Sequence, residues 1–207
     1  MSAASASQGL NPFPATDSVR RGLWEMLVTR DFVSFLAVDW APMEPDFWAA
    51  GFCGIDARQR ADPADWIIAY PTVESYRDEW LRQARQFERY TFDGLDKLDF
   101  LYASSRLDRI EIAGDRALAH KKFDGAATTA SGQEVVLRFQ SIFHLARIEN
   151  VWKIAGFVGY LPNPMRGQLL LDPSRAMPTV VGADSVGDFR RRESPPTAMM
   201  SQRYRSR

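Results

Sequence analysis

Apolar residues recur every three or four positions in the first part of the chain, as they do on one face of an amphipathic helix. Thr16 or Asp17 can cap the first helix. Its predicted apolar face comprises Val19, Leu23, Met26 and Leu27. A second short helix follows residues 30–31, and its apolar positions are Phe32, Phe35 and Leu36. Pro42 and Pro45 end it, because proline lacks the N–H that a helix interior needs.

The clearest helical pattern lies in residues 72–88. Thr72 is a suitable N-cap, and Glu74 stands where a carboxylate stabilises the first turn. The apolar stripe of this third helix comprises Val73, Tyr76, Trp80, Ala84 and Phe87. Before it, residues 47–57 form a short apolar run with glycines at positions 51 and 54, which predicts a short strand or an irregular wall.

After Gly94 the hydrophobic period changes to two, which is typical of strands. Turn sequences separate four such segments, at 98–113, 116–129, 133–147 and 151–161. The alternation is cleanest in 133–147. One face of that strand is predicted to hold Val135, Leu137, Phe139, Ser141, Phe143 and Leu145. Arg138, Gln140 and His144 point the other way. We expect the apolar face to pack on the three helices.

Helices followed by antiparallel strands predict an α+β fold, with a curved antiparallel sheet packed on three N-terminal helices. Residues 1–15 are expected to form a flexible leader, and residues 16–161 the folded domain. Residues 162–207 are rich in Pro and Arg, so we expect an extended tail that is disordered after about residue 181.

The composition narrows the classes of function. The 207 residues carry no net charge, so no overall field favours nucleic acid or a membrane surface. A single cysteine, Cys53, excludes an internal disulfide and favours a reducing compartment. Neither a signal peptide nor a run of about 20 apolar residues is present, so we expect a cytoplasmic protein. Aromatic residues reach 12%, which suits a lined cavity for a small molecule.

Two stretches carry a resemblance to a known family. Residues 110–117 (IEIAGDRA) and 150–154 (NVWKI) resemble the Gly-Asp-x-Ala turn and the Gly-x-Trp-x-Ile last strand of the nuclear transport factor 2-like superfamily. That superfamily includes ketosteroid isomerase, scytalone dehydratase and the SnoaL-like polyketide cyclases, and the resemblance covers about residues 17–161. It implies a cone-shaped, cystatin-like sheet, a pocket at the wide end, and homodimers formed through the outer sheet face.

The chain departs from the family after the Trp-x-Ile motif. Many members continue that strand with histidines and a serine, whereas residues 155–160 here read AGFVGY. An activity that depends on those histidines is therefore not implied. The motifs that do match are structural, and this fold hosts unrelated activities.

Asp56 is the first candidate catalytic residue. In ketosteroid isomerase a similar short strand carries the general base, so the resemblance implies that role for Asp56, which ends an apolar run. A carboxylate beside aromatic surface has a raised pKa, which suits proton abstraction next to a carbonyl. The alternative is that Asp56 caps the following loop by accepting backbone N–H groups.

Tyr102 and His120 are the candidate proton donors. Tyr102 lies in the strand predicted for residues 98–113, where the resemblance implies a pocket wall. His120 is one of only two histidines and is the natural proton shuttle near neutral pH. The two histidines and one cysteine show no metal-ligand spacing, so we predict no metal and no cofactor.

Four further residues are candidates for lining the pocket: Asp39, Trp40, Trp48 and Phe52. For Asp39 the alternative is a turn in which its carboxylate caps the backbone.

Together these patterns predict a SnoaL-like small-molecule pocket protein. As an enzyme it would be a cofactor-free isomerase, dehydratase or cyclase acting on a carbonyl compound, with Asp56 as base and Tyr102 or His120 as donor. The alternative is a non-catalytic module that binds a ligand or dimerises. The expected partners are an unidentified small molecule and a second copy of the chain, with no nucleic acid and no membrane.

Overall fold

The computed structural model describes residues 10–165, and within them the α-helices occupy three places. The first is an unbroken helical run made of α1 (Ser18–Trp24), a π-helical segment (Glu25–Arg30) and α2 (Asp31–Ala37). The second is α3 (Val73–Glu88), and the third is α4 (Lys97–Ser104). The two N-terminal helices predicted from the sequence are therefore continuous, because the wider π-helical segment joins them.

Side-chain caps fix where the helices begin. The Asp17 carboxylate accepts the Arg20 N–H at the start of α1. Thr72 and Ser75 form a capping box at the start of α3, as the sequence predicts for Thr72. The Asp96 carboxylate accepts two backbone N–H groups at the start of α4.

Six strands form one sheet in the order β2-β1-β6-β5-β4-β3. Their bounds are Cys53–Asp56 (β1), Ile67–Tyr70 (β2), Ser105–Ala113 (β3), Arg116–Thr128 (β4), Glu134–Ile148 (β5) and Val151–Leu161 (β6). Every neighbouring pair is antiparallel except β1 and β6, which run parallel. Register shifts interrupt several ladders, and such bulges bend a sheet. The predicted α+β class, with a curved and unclosed sheet on helices, is confirmed.

The inner face of the sheet packs on α2 and α3. Leu137, Phe139, Ser141 and Phe143 face one cavity together with Tyr76 and Trp80 of α3. The side-chain phase predicted for residues 133–147 is therefore confirmed. Aromatic rings from α3 and β6 pack against each other in the core, where the Tyr76 and Phe157 rings are tilted by 59° and their centroids lie 4.7 Å apart.

Two local predictions are wrong. Residues 98–113 were predicted to be one strand, but Asp96 caps the helix α4 and only residues 105–113 extend. The sequence analysis also missed β2, which pairs with β1 at the edge of the sheet. β2 has four residues, too few to show a clear period.

The expectations for the chain termini lie largely beyond the structure. The predicted leader is described only from residue 10 onward, and the predicted tail only up to residue 165. The disorder expected after residue 181 lies outside the described residues. Among residues 10–165, no helix is both long and apolar enough to span a membrane.

Candidate functional site

An interior cavity of about 110 Å³ lies between the inner face of the sheet and helices α2 and α3. Most of its wall is aromatic or aliphatic. Besides the Trp80 indole, six side chains with a polar group line it: Asp31, Tyr76, Gln83, Lys121, Ser141 and Tyr160. A mostly apolar cavity with a few converging polar groups is the usual form of a small-molecule site.

Lys121 of β4 is the most deeply enclosed of these groups, with 2% of its side chain exposed. Its Nζ donates to the Leu27 carbonyl at 2.6 Å and to the Asp31 Oδ2 at 2.8 Å. The same atom lies 4.3 Å from the ring centroid of Phe32 and 5.1 Å from that of Phe123. Burial lowers the pKa of Lys121, and the Asp31 carboxylate opposes that shift.

The π-helical segment and the start of α2 supply both acceptors of Lys121. Leu27 lies inside that segment, and Asp31 follows it directly. The other Asp31 oxygen, Oδ1, accepts the Trp80 indole N–H at 3.0 Å, so α3 also holds the carboxylate. Short π-helical segments often occur at functional sites.

Tyr160 enters the cavity because its backbone leaves the strand pattern. Phe157 and Gly159 of β6 face inward, so regular alternation would turn Tyr160 outward beside Val158. Its φ of 53° is in the left-handed region and brings the side chain to the cavity instead. A non-glycine residue in this region costs on the order of 1–3 kcal/mol, and such strain is often found at functional sites.

The Tyr160 hydroxyl oxygen accepts from Gln83 Nε2 at 2.6 Å. Gln83 Nε2 also donates to the Glu79 carboxylate at 2.7 Å, which fixes the orientation of the amide. The Tyr160 proton is therefore available for another acceptor. Burial raises the pKa of Tyr160 well above its ordinary value, so the phenol stays protonated near neutral pH.

Ser141 lies between these two groups on the sheet. It is buried, and it is the direct partner of Lys121 in the ladder of β4 and β5. A Cβ placed on Gly159 would come 3.5 Å from the Ser141 hydroxyl, so that hydroxyl and the Gly159 backbone are close. Three adjacent strands thus present Lys121, Ser141 and Tyr160 to one space.

Asp56 lies at the end of β1, outside the cavity wall. Its side chain is 4% exposed, and Oδ1 accepts the Arg58 N–H at 2.7 Å. Burial raises the pKa of Asp56. In the parallel ladder of β1 and β6, Asp56 pairs with Gly159, which lines the cavity. Both features considered from the sequence, a desolvated carboxylate and a backbone cap, therefore occur in the same residue.

The other two predicted catalytic residues lie away from the cavity. His120 Nε2 hydrogen-bonds the Gln140 Oε1 at 2.6 Å, on the face of the sheet opposite the helices. Tyr102 lies on α4, not on a strand, and its ring packs edge-on against Phe32 at 5.4 Å. The structure does not bring Asp56, His120 and Tyr102 into one cavity.

The predicted pocket residues also lie elsewhere. Asp39 is exposed, and its carboxylate accepts the Ala41 N–H at 3.0 Å, which is the turn cap considered as its alternative. Trp40 and Phe52 are buried in the aromatic cluster around Tyr76. Trp48 lines a separate hollow on the outer face of the sheet. None of the four belongs to the wall of the interior cavity.

Sequence reasoning missed Asp31, Gln83, Lys121 and Tyr160. A signal for Lys121 was present, because it alternates with Ala117, Ala119 and Phe123, all of which are buried. A lysine inside an apolar alternating set is rarely buried without a partner. Tyr160 carries no such signal, since a regular strand pattern places it on the wrong face.

The described residues offer no evident metal site. Within residues 10–165, no group of three or more His, Cys, Asp and Glu side chains is arranged to hold a metal ion. The cavity has one carboxylate and one amine, which suit proton exchange.

No family model matches this chain, and no curated protein matches it. Solved structures do. A nuclear transport factor 2 (NTF2-like) superfamily protein from Salmonella enterica serovar Typhimurium is 16% identical, and the match covers 78% of this chain and all of that one, with a TM-score of 0.48.

Two other solved structures are similar to this chain. Aln2 from a Streptomyces species is 14% identical, with coverage of 75% of this chain and 96% of that one and a TM-score of 0.48. A ketosteroid isomerase-like protein from Erwinia carotovora atroseptica is 16% identical, with coverage of 65% and 94% and a TM-score of 0.37. These likenesses concern the fold alone, and they are of the kind that the sequence resemblance implied.

Proposed function

We propose that this protein binds a small carbonyl compound in its interior cavity and catalyses proton transfer next to the carbonyl without a cofactor. The observation that carries the proposal is the convergence of the protonated Tyr160 hydroxyl and the Asp31–Lys121 pair in one apolar space. Enolisation of this kind is the common step of cofactor-free isomerases, dehydratases and cyclases.

Tyr160 is the proposed electrophile. Its hydroxyl accepts from Gln83, so its proton can be donated to the carbonyl oxygen of a bound substrate. A donor held in place before the reaction stabilises the negative charge that develops on that oxygen. Because the phenol pKa is raised, the proton stays on Tyr160 at neutral pH.

Asp31 is the proposed proton acceptor. Trp80 and Lys121 hold its two oxygens, so the carboxylate has one position at the cavity wall. It is 22% exposed, which leaves part of the carboxylate free of protein contact. Asp56, the base expected from the sequence, stays a prediction, since it pairs with Gly159 at the edge of the cavity and does not line the wall.

The size of the cavity limits the substrate. About 110 Å³ is less than the roughly 300–1,000 Å³ of pockets for drug-sized ligands. It is close to the roughly 150 Å³ of a cavity that holds benzene. We therefore propose a substrate of about that size, or a longer one of which only the carbonyl end enters. The proposed compartment is the cytoplasm, because the one cysteine forms no internal disulfide.

A second function is favoured by one observation. Lys121 already has two protein acceptors, and both Asp31 oxygens already have donors. This is the arrangement of a structural ion pair. A module built in this way would bind small ligands in the cavity and not turn them over.

Exchange of α-protons in D₂O separates the two functions. A panel of small ketones and aldehydes, including cyclohexanone, acetone and propanal, is incubated with the protein, and the loss of α-proton signals is followed by NMR. We expect saturable acceleration for at least one compound and a fall of about 10²–10³ in rate for Tyr160→Phe, as for loss of an oxyanion donor.

The matched control is Tyr102→Phe, which removes a phenol outside the cavity and should leave the exchange rate unchanged. Binding without exchange would favour the non-catalytic module. Equal exchange rates for the wild type and Tyr160→Phe would refute the role of Tyr160.

A further inference from the structure

We propose that Lys121 is a covalent nucleophile that forms an imine with small aldehydes or ketones in the interior cavity. The inference rests on the proposed function, because the same cavity must admit a carbonyl compound. It adds a reaction step and a residue role, and it narrows the substrates to carbonyl compounds that are open to attack by an amine.

The four lysines of the chain occupy different surroundings. Lys97, Lys122 and Lys153 are partly exposed, whereas Lys121 is buried and lines the cavity. The Lys97 Nζ donates to the Glu88 carbonyl on the surface of the domain. Lys122 follows Lys121 in β4, so its side chain lies on the opposite face of the sheet. Of the four, only Lys121 can meet a molecule inside the cavity.

The hydrogen bonds of Lys121 suit a neutral amine. An ammonium group has three N–H donors, and a neutral amine has two donors and one lone pair. The structure supplies Nζ with two protein acceptors, the Leu27 carbonyl and the Asp31 carboxylate. A neutral Lys121 therefore satisfies both and keeps its lone pair for a ligand. An ammonium would direct its third N–H toward the Phe32 and Phe123 rings, whose faces attract a cation, so the lone pair becomes available once that proton passes to Asp31.

Burial shifts the equilibrium of Lys121 toward the neutral amine. The Phe32 and Phe123 rings flank Nζ, and desolvation lowers the pKa of Lys121. Desolvation in an apolar pocket is a known means of activating a lysine toward carbonyl compounds. Asp31 opposes the shift, and it also provides an acceptor for protons that leave the nitrogen.

The proposed step is balanced. The Nζ lone pair forms a bond to the carbonyl carbon, and the π pair of the C=O bond moves to oxygen, where the Tyr160 hydroxyl stabilises it. Asp31 carries one proton from nitrogen to that oxygen, which gives a carbinolamine, and then a second, which lets the oxygen leave as water. Amine and carbonyl thus give imine and water, and nothing is oxidised or reduced.

The imine links this step to the proposed proton transfer. The imine nitrogen then takes up a proton from solvent, and this protonated imine withdraws electrons from the neighbouring C–H bond more strongly than the parent ketone does. The α-proton is then removed more easily, and hydrolysis returns Lys121 and the product. Schiff-base lysines divide a difficult step into easier ones in this way.

Reductive trapping tests the proposal. The folded full-length protein is treated with propanal and sodium cyanoborohydride near pH 7, and propylation of each lysine is followed by peptide mass spectrometry. The chain carries its own controls, because Lys97, Lys122 and Lys153 are in the same sample. The N-terminal amine also reacts near this pH, so its peptide is read separately.

We expect Lys121 to be propylated at least about 10-fold faster than the other three lysines, because the cavity holds the carbonyl carbon beside its amine. Cyclohexanone in excess should slow the labelling of Lys121 and not that of Lys122. Labelling of Lys121 at the same rate as the other lysines, or more slowly, overturns the proposal.

Two variants show whether the imine proposal or the proposed proton transfer has failed. Lys121→Arg keeps a charged donor for Asp31 but forms no imine, so α-proton exchange should fall at least about 10-fold, whereas Lys122→Arg should leave it unchanged. Full exchange in Lys121→Arg would refute the imine and leave enolisation by Asp31 and Tyr160 intact. Selective labelling of Lys121 without any exchange would refute the enolisation and leave the imine standing.

Discussion

A lysine enclosed by aromatic rings lowers its free energy either by pairing with a carboxylate or by losing its proton, and the cavity offers Lys121 both routes. The Asp31 carboxylate lies 2.8 Å from its Nζ, and two rings exclude water. The two partners are buried to different extents, because the Lys121 side chain is 2% exposed and the Asp31 side chain is 22% exposed. Removing either partner therefore has a different cost.

We predict that Asp31→Ala destabilises the protein more than Lys121→Met does. The alanine leaves the Trp80 indole N–H without its acceptor and Lys121 with only the Leu27 carbonyl, and loss of one partner of a buried pair costs about 3–5 kcal/mol. The methionine leaves a carboxylate that still has Trp80 and some solvent. Urea unfolding near pH 7 measures both free energies. A larger loss of stability in Lys121→Met than in Asp31→Ala would mean that the carboxylate, not the amine, is the more desolvated partner.

Asp56 makes a prediction about pH. Burial raises its pKa in the folded state, so its charged form destabilises the fold; this penalty is absent below the unfolded pKa of about 4 and grows as the pH rises through the folded value. Asp56→Asn removes the charge and keeps an oxygen for the Arg58 N–H. The variant should unfold at a higher temperature than the wild type at pH 7.

That gain in the melting temperature should shrink as the pH falls toward about 4, where the wild-type carboxyl is neutral. Asp39→Asn is the control, since Asp39 caps a turn on the exposed surface. A gain for Asp56→Asn that does not change with pH would contradict the raised pKa.

At the scale of elements, a strand with a regular hydrophobic period could be predicted from the sequence. The residues that line the interior cavity could not. β5 has fifteen residues, and its inward and outward sets were assigned correctly from alternation alone. Gln140 belongs to the outward set but is buried, and its side-chain amide donates to the Pro162 carbonyl. The cavity position of Tyr160 was missed because its own left-handed backbone conformation reverses the side-chain alternation of β6. Helix α4 was missed because its residues also fit a strand pattern, and the Asp96 cap makes them helical.

The phase of β5 predicts opposite outcomes for two neighbouring positions. Leu137→Ala should cost about 2–5 kcal/mol, because its side chain is buried at the inner face. Arg138→Ala should change the stability by no more than about 0.5 kcal/mol, because Arg138 is exposed and its ion pair with Asp124 is at the surface. Chemical unfolding gives both values, and similar losses at the two positions would show that the strand is out of phase.

At the scale of the whole molecule, the sheet has a second hollow on its outer face. It holds about 770 Å³ and is lined mainly by apolar residues. Five of them are Cys53, Ile55, Leu118, Ala155 and Val158. Its volume exceeds that of the interior cavity, but it lacks the convergence of amine, carboxylate and phenol found inside. An exposed apolar hollow of this kind favours contact with another protein surface.

We predict a homodimer through this outer face, as the resemblance implied from the sequence. His144 lines the hollow, whereas Gln140 is already bonded to His120 within the chain. Leu118→Glu should convert the dimer to monomer, because it puts a charge into the apolar lining of the hollow, where Leu118 is exposed. Sedimentation velocity at micromolar concentration measures this.

Val33→Glu is the matched control, since Val33 is an exposed apolar residue on α2, remote from the outer face of the sheet. It should leave the dimer intact. A wild type that sediments as a monomer at high micromolar concentration would refute the interface.

The central claim is that a small carbonyl compound enters the interior cavity and places its oxygen at Tyr160. Backbone amide NMR during titration with cyclohexanone tests it most directly. We predict saturable shifts centred on Lys121, Ser141, Gly159 and Tyr160, which weaken in Tyr160→Phe. Shifts confined to the outer-face hollow around Leu118 and His144, or no shifts at tens of millimolar ligand, would contradict the claim.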